Sequence, residues 1–210
     1  MSTATEKTES DIDLYRLTAS QFETIVDTGV FGDDKVELLG GHLVKLMTSD
    51  ERHITTVDSV FRALLRLLPE TSWYVRDEKP VTLSRRWRPL PDITVLRGSL
   101  EECKQEGRKP GPEDVVMLVE VSDTTYSKDS GRKLRKYART GVQAYWIVDI
   151  NRRLVEVYSG PDSSGYGAPE IHREADAVPV VIDGKGYGQV FVADLLPRGA
   201  TGAKGEHSDL

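Results

Sequence analysis

The sequence predicts an α/β fold in which a mixed β-sheet is flanked by helices and carries additional β-hairpins. Residues 115–121 are almost wholly apolar, which is typical of a strand covered on both faces. Segments with strand-like and helix-like periodicity alternate on either side of it, as expected for a sheet covered by helices. The chain has 210 residues, enough to enclose a sizeable core in one domain.

Two helices separated by a hairpin are predicted in the N-terminal part. The first helix runs from about Ala19 to Asp27, because Thr18 and Gln21 have the spacing of a capping box. Residues 36–47, VELLGGHLVKLM, consist of two apolar runs about a Gly-Gly pair and predict the hairpin. A second capping box is predicted at 48–51. It opens a helix with apolar residues at three- and four-residue steps, which ends at a proline.

Strands predominate in the rest of the chain. A polar stretch at 101–114 interrupts them and shows no apolar stripe. A helix is predicted from about Ser130 to Thr140, and Gly141 ends it. The predicted strands lie at 73–83, 92–98 and 115–122, in a hairpin formed by 144–150 and 153–160, and as one or two late strands within 178–196.

Residues 14–198 are predicted to form a single domain between two polar tails, 1–13 and 199–210. No apolar run approaches the roughly 18 residues that span a bilayer, so no membrane partner is expected. The N-terminus lacks the basic and apolar regions of a secretory signal. Cys103 is the one cysteine, which excludes an intramolecular disulfide and a zinc–thiolate cluster. These features favour a reducing cytoplasm.

Two basic stretches contrast with the net charge of −6. One runs from Lys128 to Arg139 and contains six lysines and arginines but a single acidic residue, Asp129. The other consists of Arg85, Arg86 and Arg88. The net charge argues against a protein that coats nucleic acid without specificity. The two stretches could nevertheless hold a phosphate backbone in one cleft. The alternative is a solvated helix face and a basic loop.

Two carboxylates mark a candidate metal site. Asp92 begins a short apolar strand, and Glu120 lies near the end of the most buried strand, where an ionised carboxylate is costly unless it is paired or binds a cation. On neighbouring strands the two would meet at one sheet edge and form an oxygen site suited to Mg²⁺ or Mn²⁺. The alternatives are a strand-start or turn residue after proline for Asp92 and, for Glu120, a metal-free salt bridge to Lys133 or Lys136.

The predicted helix after this strand carries polar residues on one face. At roughly 100° per residue, Asp129, Lys133, Lys136 and Tyr137 share that face. A lysine beside a metal ion could polarise the attacking hydroxide and offset charge on the phosphate. Tyr137 could orient that lysine or contact a phosphate. The alternative is an exposed ion pair between Asp129 and Lys133.

Four further side chains could either contact a substrate or serve the fold. His53, in the first turn of the second helix, could donate to a phosphate, although such a residue also caps or packs. Tyr145 and Trp146 lie in a predicted strand and are assigned to the core. Trp87 stands among arginines, either as a nucleic-acid contact or as the anchor of its own turn.

The strings PDITVL, VVMLVEVS and KDSGRKLRKYARTGVQAYWIVDI, in this order, resemble the Uma-type restriction endonuclease family, a branch of the PD-(D/E)xK nuclease superfamily. The resemblance extends from about Leu17 to Tyr158. It implies a restriction-endonuclease-like fold and a Mg²⁺- or Mn²⁺-dependent endonuclease that hydrolyses phosphodiester bonds, with DNA as the substrate.

The resemblance also implies a role for each residue that matches the pattern. Asp92 and Glu120 would be metal ligands, the carbonyl of Val121 would be a third, and Glu37 would be an outer-sphere or second-metal carboxylate. Lys133 would be the catalytic lysine.

The chain departs from the superfamily pattern at one position. The usual lysine lies two residues after the acidic residue, where this sequence has Ser122. A lysine from the following helix would replace it, and Lys133 is favoured over Lys136 by the D-x₃-K spacing.

A homodimer is expected, since many nucleases that cut duplexes act as two-fold dimers. The alternative function is a nucleic-acid-binding or regulatory protein on a catalytically weak or inactive nuclease scaffold, because a fold alone does not determine an activity.

Overall fold

The structure is a computed structural model that describes residues 14–198. Its centre is a six-stranded mixed β-sheet flanked by helices, which confirms the predicted fold class. The tails predicted at 1–13 and 199–210 lie outside the described residues, and the single domain between them stays a prediction. Of the helices within 14–198, none combines the length and the apolar character that a membrane crossing requires.

The chain forms, in order, α1 (Ala19–Asp27), β1 (Val36–Leu39), β2 (His42–Lys45), α2 (Glu51–Leu67), β3 (Trp73–Asp77), β4 (Trp87–Arg88), β5 (Ile93–Arg97), α3 (Leu100–Glu106), a 3₁₀ turn (Pro112–Asp114), β6 (Val115–Ser122), α4 (Tyr126–Lys128), a π-helical turn (Asp129–Lys133), α5 (Leu134–Arg139), β7 (Ala144–Asp149), β8 (Leu154–Ser159), β9 (Glu170–Arg173), β10 (Ala177–Ile182), β11 (Lys185–Phe191) and α6 (Val192–Leu195). The three helical pieces between β6 and β7 follow one another without a break, and we call residues 126–139 the site helix.

The central sheet has the strand order β3-β5-β6-β7-β8-β9. Its neighbours are antiparallel except for β6 and β7, which are parallel. Parallel neighbours need a crossover connection, and the site helix lies in that connection. Strands β2, β1 and β4 form a second sheet, and β10 pairs with β11.

Strand β6 is the centre of the core, since all eight of its residues are buried. Its side chains alternate between two layers. Met117, Val119 and Val121 belong to a cluster that includes α2 and β10, whereas Leu118 belongs to the cluster that includes the site helix. Glu120 has the same parity as Leu118 and therefore faces the site helix.

Several predicted elements are confirmed. Helix α1 has its capping box at Thr18 and Gln21. The hairpin β1–β2 turns at Gly40 and Gly41, whose φ angles of 66° and 86° are typical of a type I′ turn. Strands β7 and β8 form the predicted antiparallel hairpin.

Two predicted boundaries are wrong. The capping box at 48–51 does not form, because Asp50 is the N-cap of α2 and its carboxylate accepts the backbone N–H of His53. The site helix begins at Tyr126 rather than near Ser130, so it contains the π-helical turn that the periodic pattern did not indicate.

Three stretches were also assigned incorrectly or incompletely. The polar stretch 101–114 contains most of α3, which has no buried residue and therefore no apolar stripe to indicate it. The strand predicted at 73–83 ends at Asp77. Strand β9 was not predicted, and three of its four residues are exposed.

Candidate active site

One cavity of about 260 Å³ gathers most of the predicted site residues. Five of the eight line it: His53, Asp92, Glu120, Val121 and Lys133. Ile93 pairs with Val119 between antiparallel β5 and β6, so Asp92 and Glu120 lie opposite each other on neighbouring strands. The register therefore brings the two residues to one sheet edge, and their role as metal ligands stays a prediction.

Asp92 directly precedes β5, as its strand-start alternative described, and its carboxylate is also fixed against β6. Its Oδ2 accepts a hydrogen bond of 2.6 Å from the backbone N–H of Val121 and lies 3.5 Å from His53 Nε2. Burial disfavours protonation of His53, but Asp92, the Val121 backbone and Glu78 outweigh burial and raise the pKa of the imidazole. His53 therefore lies next to the candidate ligand Asp92 in the lining of the cavity.

Lys133 extends from the π-helical turn into a cluster of carboxylates. Its Nζ lies 2.9 Å from Glu120 Oε2, 3.6 Å from Glu37 Oε2 and 3.7 Å from Asp129 Oδ1. Lys133 therefore forms ion pairs with both Glu120 and Asp129, which the sequence offered as alternatives to a metal site. Both pairs are buried, since the Lys133 side chain is 4% exposed. Burial disfavours the ammonium, yet the three carboxylates outweigh burial and raise the pKa of Lys133.

Glu120 is held at both of its oxygens. Oε2 accepts from Lys133 at 2.9 Å, and Oε1 accepts from the Tyr137 hydroxyl at 2.7 Å. Desolvation by burial raises the pKa of Glu120 to about 8 despite the ammonium of Lys133. Each carboxylate oxygen has two lone pairs, so each retains one for a further ligand.

Asp129 is a site carboxylate to which the sequence assigned no role beyond an ion pair. Hydroxyls of Thr125 and Ser122 donate to its Oδ2 at 2.6 Å and 3.0 Å. The hydroxyl of Tyr145 donates to its backbone carbonyl at 3.2 Å, at the start of the π-helical turn. The D-x₃-K spacing to Lys133 was the one sequence signal for it.

Glu37 lies behind the lysines instead of projecting into the cavity. Its side chain is fully buried and does not line the cavity. Oε1 lies 2.8 Å from Lys128 Nζ, an ion pair that lacks the geometry of a hydrogen bond, and Oε2 accepts from the N–H of Leu90 at 3.3 Å. Glu37 thus supplies negative charge behind Lys128 and Lys133.

Lys136 and Tyr137 do not take the places expected for substrate contacts. Lys136 Nζ lies 5.7 Å from the centroid of the Trp87 ring, outside the cavity. The wide π-helical turn shifts the phase of the residues that follow it, so Asp129, Lys133 and Tyr137 share the inner face while Lys136 does not. Tyr137 is completely buried, so it holds Glu120 and cannot contact a phosphate.

Replacing Tyr137 by Phe should lower the free energy of unfolding by about 1–3 kcal/mol, because Glu120 Oε1 loses a buried donor. Urea denaturation measures the change. Tyr74→Phe is the matched control, since Tyr74 is half-buried and its hydroxyl makes no hydrogen bond within residues 14–198. Equal stability of the two variants would contradict a stabilising role for the Tyr137–Glu120 bond.

The charges and donor types fit a hard divalent cation. The residues that line the cavity include six carboxylates and three lysines, which leaves an excess of carboxylates there: Asp50, Glu78, Asp92, Glu120, Asp123 and Asp129 against Lys35, Lys128 and Lys133. Within the described part of the chain, no three His, Cys, Asp or Glu side chains form a ready-made metal cage. An ion at Asp92 and Glu120 would complete its shell with main-chain oxygen and water, as Mg²⁺ commonly does.

Comparisons with known proteins identify the family and a similar fold. A model of the Uma2 family, described as "Putative restriction endonuclease", matches residues 20–183. A crystal structure of a "putative nuclease belonging to DUF820" from Anabaena variabilis ATCC 29413 is similar in fold, with a TM-score of 0.61 and 14% identity over 85% of this chain and 97% of that one. No curated protein matches the chain.

Proposed function

Because this chain belongs to the Uma2 family of restriction-endonuclease-like proteins, we propose that it is a metal-dependent endonuclease that hydrolyses phosphodiester bonds in DNA. One observation carries the proposal: a buried ammonium, Lys133, lies 2.9 Å from Glu120 in the cavity that Asp92 also lines. Two carboxylates that could hold a metal ion, with one fixed cation beside them, can promote hydrolysis of a phosphodiester.

Asp92, Glu120 and the carbonyl of Val121 would hold the ion. Mg²⁺ or Mn²⁺ bound there would lower the pKa of a water molecule and neutralise negative charge on the phosphate.

The remaining side chains act through charge and position. Lys133 places a positive charge where negative charge develops on the phosphate oxygens as water adds to phosphorus and the bond to the leaving sugar oxygen breaks. Tyr137 fixes Glu120 by a hydrogen bond, and Asp129 fixes Lys133 by an ion pair. His53, which also lines the cavity, would donate to a phosphate oxygen.

Incubation of supercoiled plasmid with the full-length protein tests the proposal. Nicked and linear products should form with Mg²⁺ or Mn²⁺ and not with EDTA. We propose that a homodimer makes the double-strand cut, because two antiparallel strands require two sites related by a two-fold axis. Failure to cleave DNA or RNA with any divalent ion would contradict the enzyme and favour a binding or regulatory protein on an inactive nuclease scaffold.

A further inference from the structure

The fold brings the two basic stretches of the sequence onto one surface. Strand β4 carries Trp87 next to Arg85 and Arg86, and the indole of Trp87 meets two cations of the site helix. Arg132 Cζ lies 5.4 Å and Lys136 Nζ 5.7 Å from the centroid of its ring. Two segments more than 40 residues apart in sequence therefore share a single aromatic anchor.

Some basic residues of these stretches are neutralised within the fold and some are not. Arg88 pairs with Glu23, Lys128 with Glu37 and Lys133 with Glu120. Within residues 14–198 the other six make no ion pair with a carboxylate, and all but the half-buried Lys136 are exposed. We call these six the basic patch: Arg85, Arg86, Arg132, Arg135, Lys136 and Arg139.

The members on the site helix crowd one another. Positions 132, 135, 136 and 139 are spaced three and four apart, so they share the outer face of the helix. Burial and the nearby Arg139 lower the pKa of Lys136, as expected where like charges gather without an anion. A surface of this kind, on a chain with a net charge of −6, is complementary to a polyanion.

The basic patch and the candidate active site share the site helix. Arg132 directly precedes Lys133, and its guanidinium donates to the carbonyl of Leu39 at 2.9 Å. Leu39 is two residues along β1 from Glu37, which is about 7 Å in a strand. The patch and the candidate site are therefore carried by the same helix, with the patch on its outer face and Lys133 on its inner face.

We infer that the basic patch binds the phosphate backbone of DNA outside the cavity, with the β4 arginines and the site helix acting as one surface. The inference rests on the proposed function, since it assigns the surface by which the nuclease holds its substrate. Trp87 positions the helical cations, and the exposed arginines contact phosphates without reading bases.

Two double variants probe the two halves of the patch separately. Arg135→Gln with Arg139→Gln changes the helix, and Arg85→Gln with Arg86→Gln changes the β4 segment. Arg62→Gln with Arg66→Gln is the matched control, because it removes the same charge from the exposed face of α2. None of these residues touches Asp92, Glu120 or Lys133 in the structure.

Fluorescence anisotropy with a labelled DNA duplex in EDTA measures binding without cleavage. Each phosphate contact contributes about 0.9 to the slope of log K against log [salt]. Because each double variant removes two contacts, its slope should be shallower than the wild-type slope by about 1.8. Between 50 and 200 mM NaCl the wild type should then lose roughly tenfold more affinity for the duplex than the variant does. The control should retain the wild-type slope.

Four results would overturn the inference: unchanged slopes in both patch variants, an effect confined to one half, an equal effect in the control, or no binding of the duplex by the wild type. Binding to phosphatidylserine vesicles in place of DNA would assign the patch to a membrane and would also overturn it. Plasmid cleavage by the same variants is scored separately, so metal-dependent cleavage with unchanged DNA binding would refute the patch and leave the proposed function standing.

Discussion

Replacing Asp92 by Asn should reduce metal-dependent cleavage on the order of 10³-fold or more, because the ion supplies several kcal/mol of transition-state stabilisation. Asn has nearly the same size, and its carbonyl can still accept the N–H of Val121 that Asp92 accepts at 2.6 Å. The loss should therefore appear in Mn²⁺ binding and in cleavage while the fold is retained.

Calorimetric titration with Mn²⁺ and a plasmid assay measure the two effects of Asp92→Asn. Asp27→Asn is the control, since Asp27 is exposed at the end of α1 and makes no ion pair within residues 14–198. Wild-type Mn²⁺ affinity in Asp92→Asn would remove Asp92 from the ligand set.

Replacing Lys133 by Met should reduce cleavage by about 10²–10³-fold while Mn²⁺ still binds, because a fixed charge is lost but the carboxylates remain. At DNA concentrations that saturate binding, Lys136→Met should cleave within a few-fold of the wild type, since Lys136 lies at Trp87 in the basic patch and not in the cavity. The pair decides between the two lysines that the sequence left open. An active Lys133→Met, or an inactive Lys136→Met, would reverse the assignment.

Lys133→Met should also destabilise the metal-free protein by about 3–5 kcal/mol, because Glu120, Glu37 and Asp129 lose their shared buried cation. Met is preferred to Ala because it fills nearly the same space and adds no cavity. Thermal unfolding with and without Mn²⁺ measures the change, and Mn²⁺ should restore part of the loss by binding the folded state. A Tm equal to that of the wild type without metal would contradict a buried ionic role for Lys133.

Much of the fold follows from local patterns in the sequence. The apolar run of β6 indicated a buried strand, and the Gly-Gly pair indicated the hairpin β1–β2. These features were predictable because each depends on a short stretch with one periodicity. Helix α3 was not predicted, because it buries no residue and its sequence therefore has no apolar stripe.

The candidate site was predictable in its composition and less so in its geometry. Asp92, Glu120 and Lys133 line one cavity as the pattern indicated. A uniform helical wheel could not show that a π-helical turn separates Lys136 from them. Nor could it show that Glu37 stands behind Lys133, because that contact joins segments nearly a hundred residues apart.

A crystal of the full-length protein soaked in Mn²⁺ tests most directly whether Asp92, Glu120 and Lys133 form one metal-dependent site. We expect an anomalous peak bonded to the carboxylates of Asp92 and Glu120 and to the carbonyl of Val121, with the ammonium of Lys133 beside it. A peak at other residues, with Asp92 and Glu120 free of metal and the Lys133–Glu120 ion pair unchanged, would contradict it.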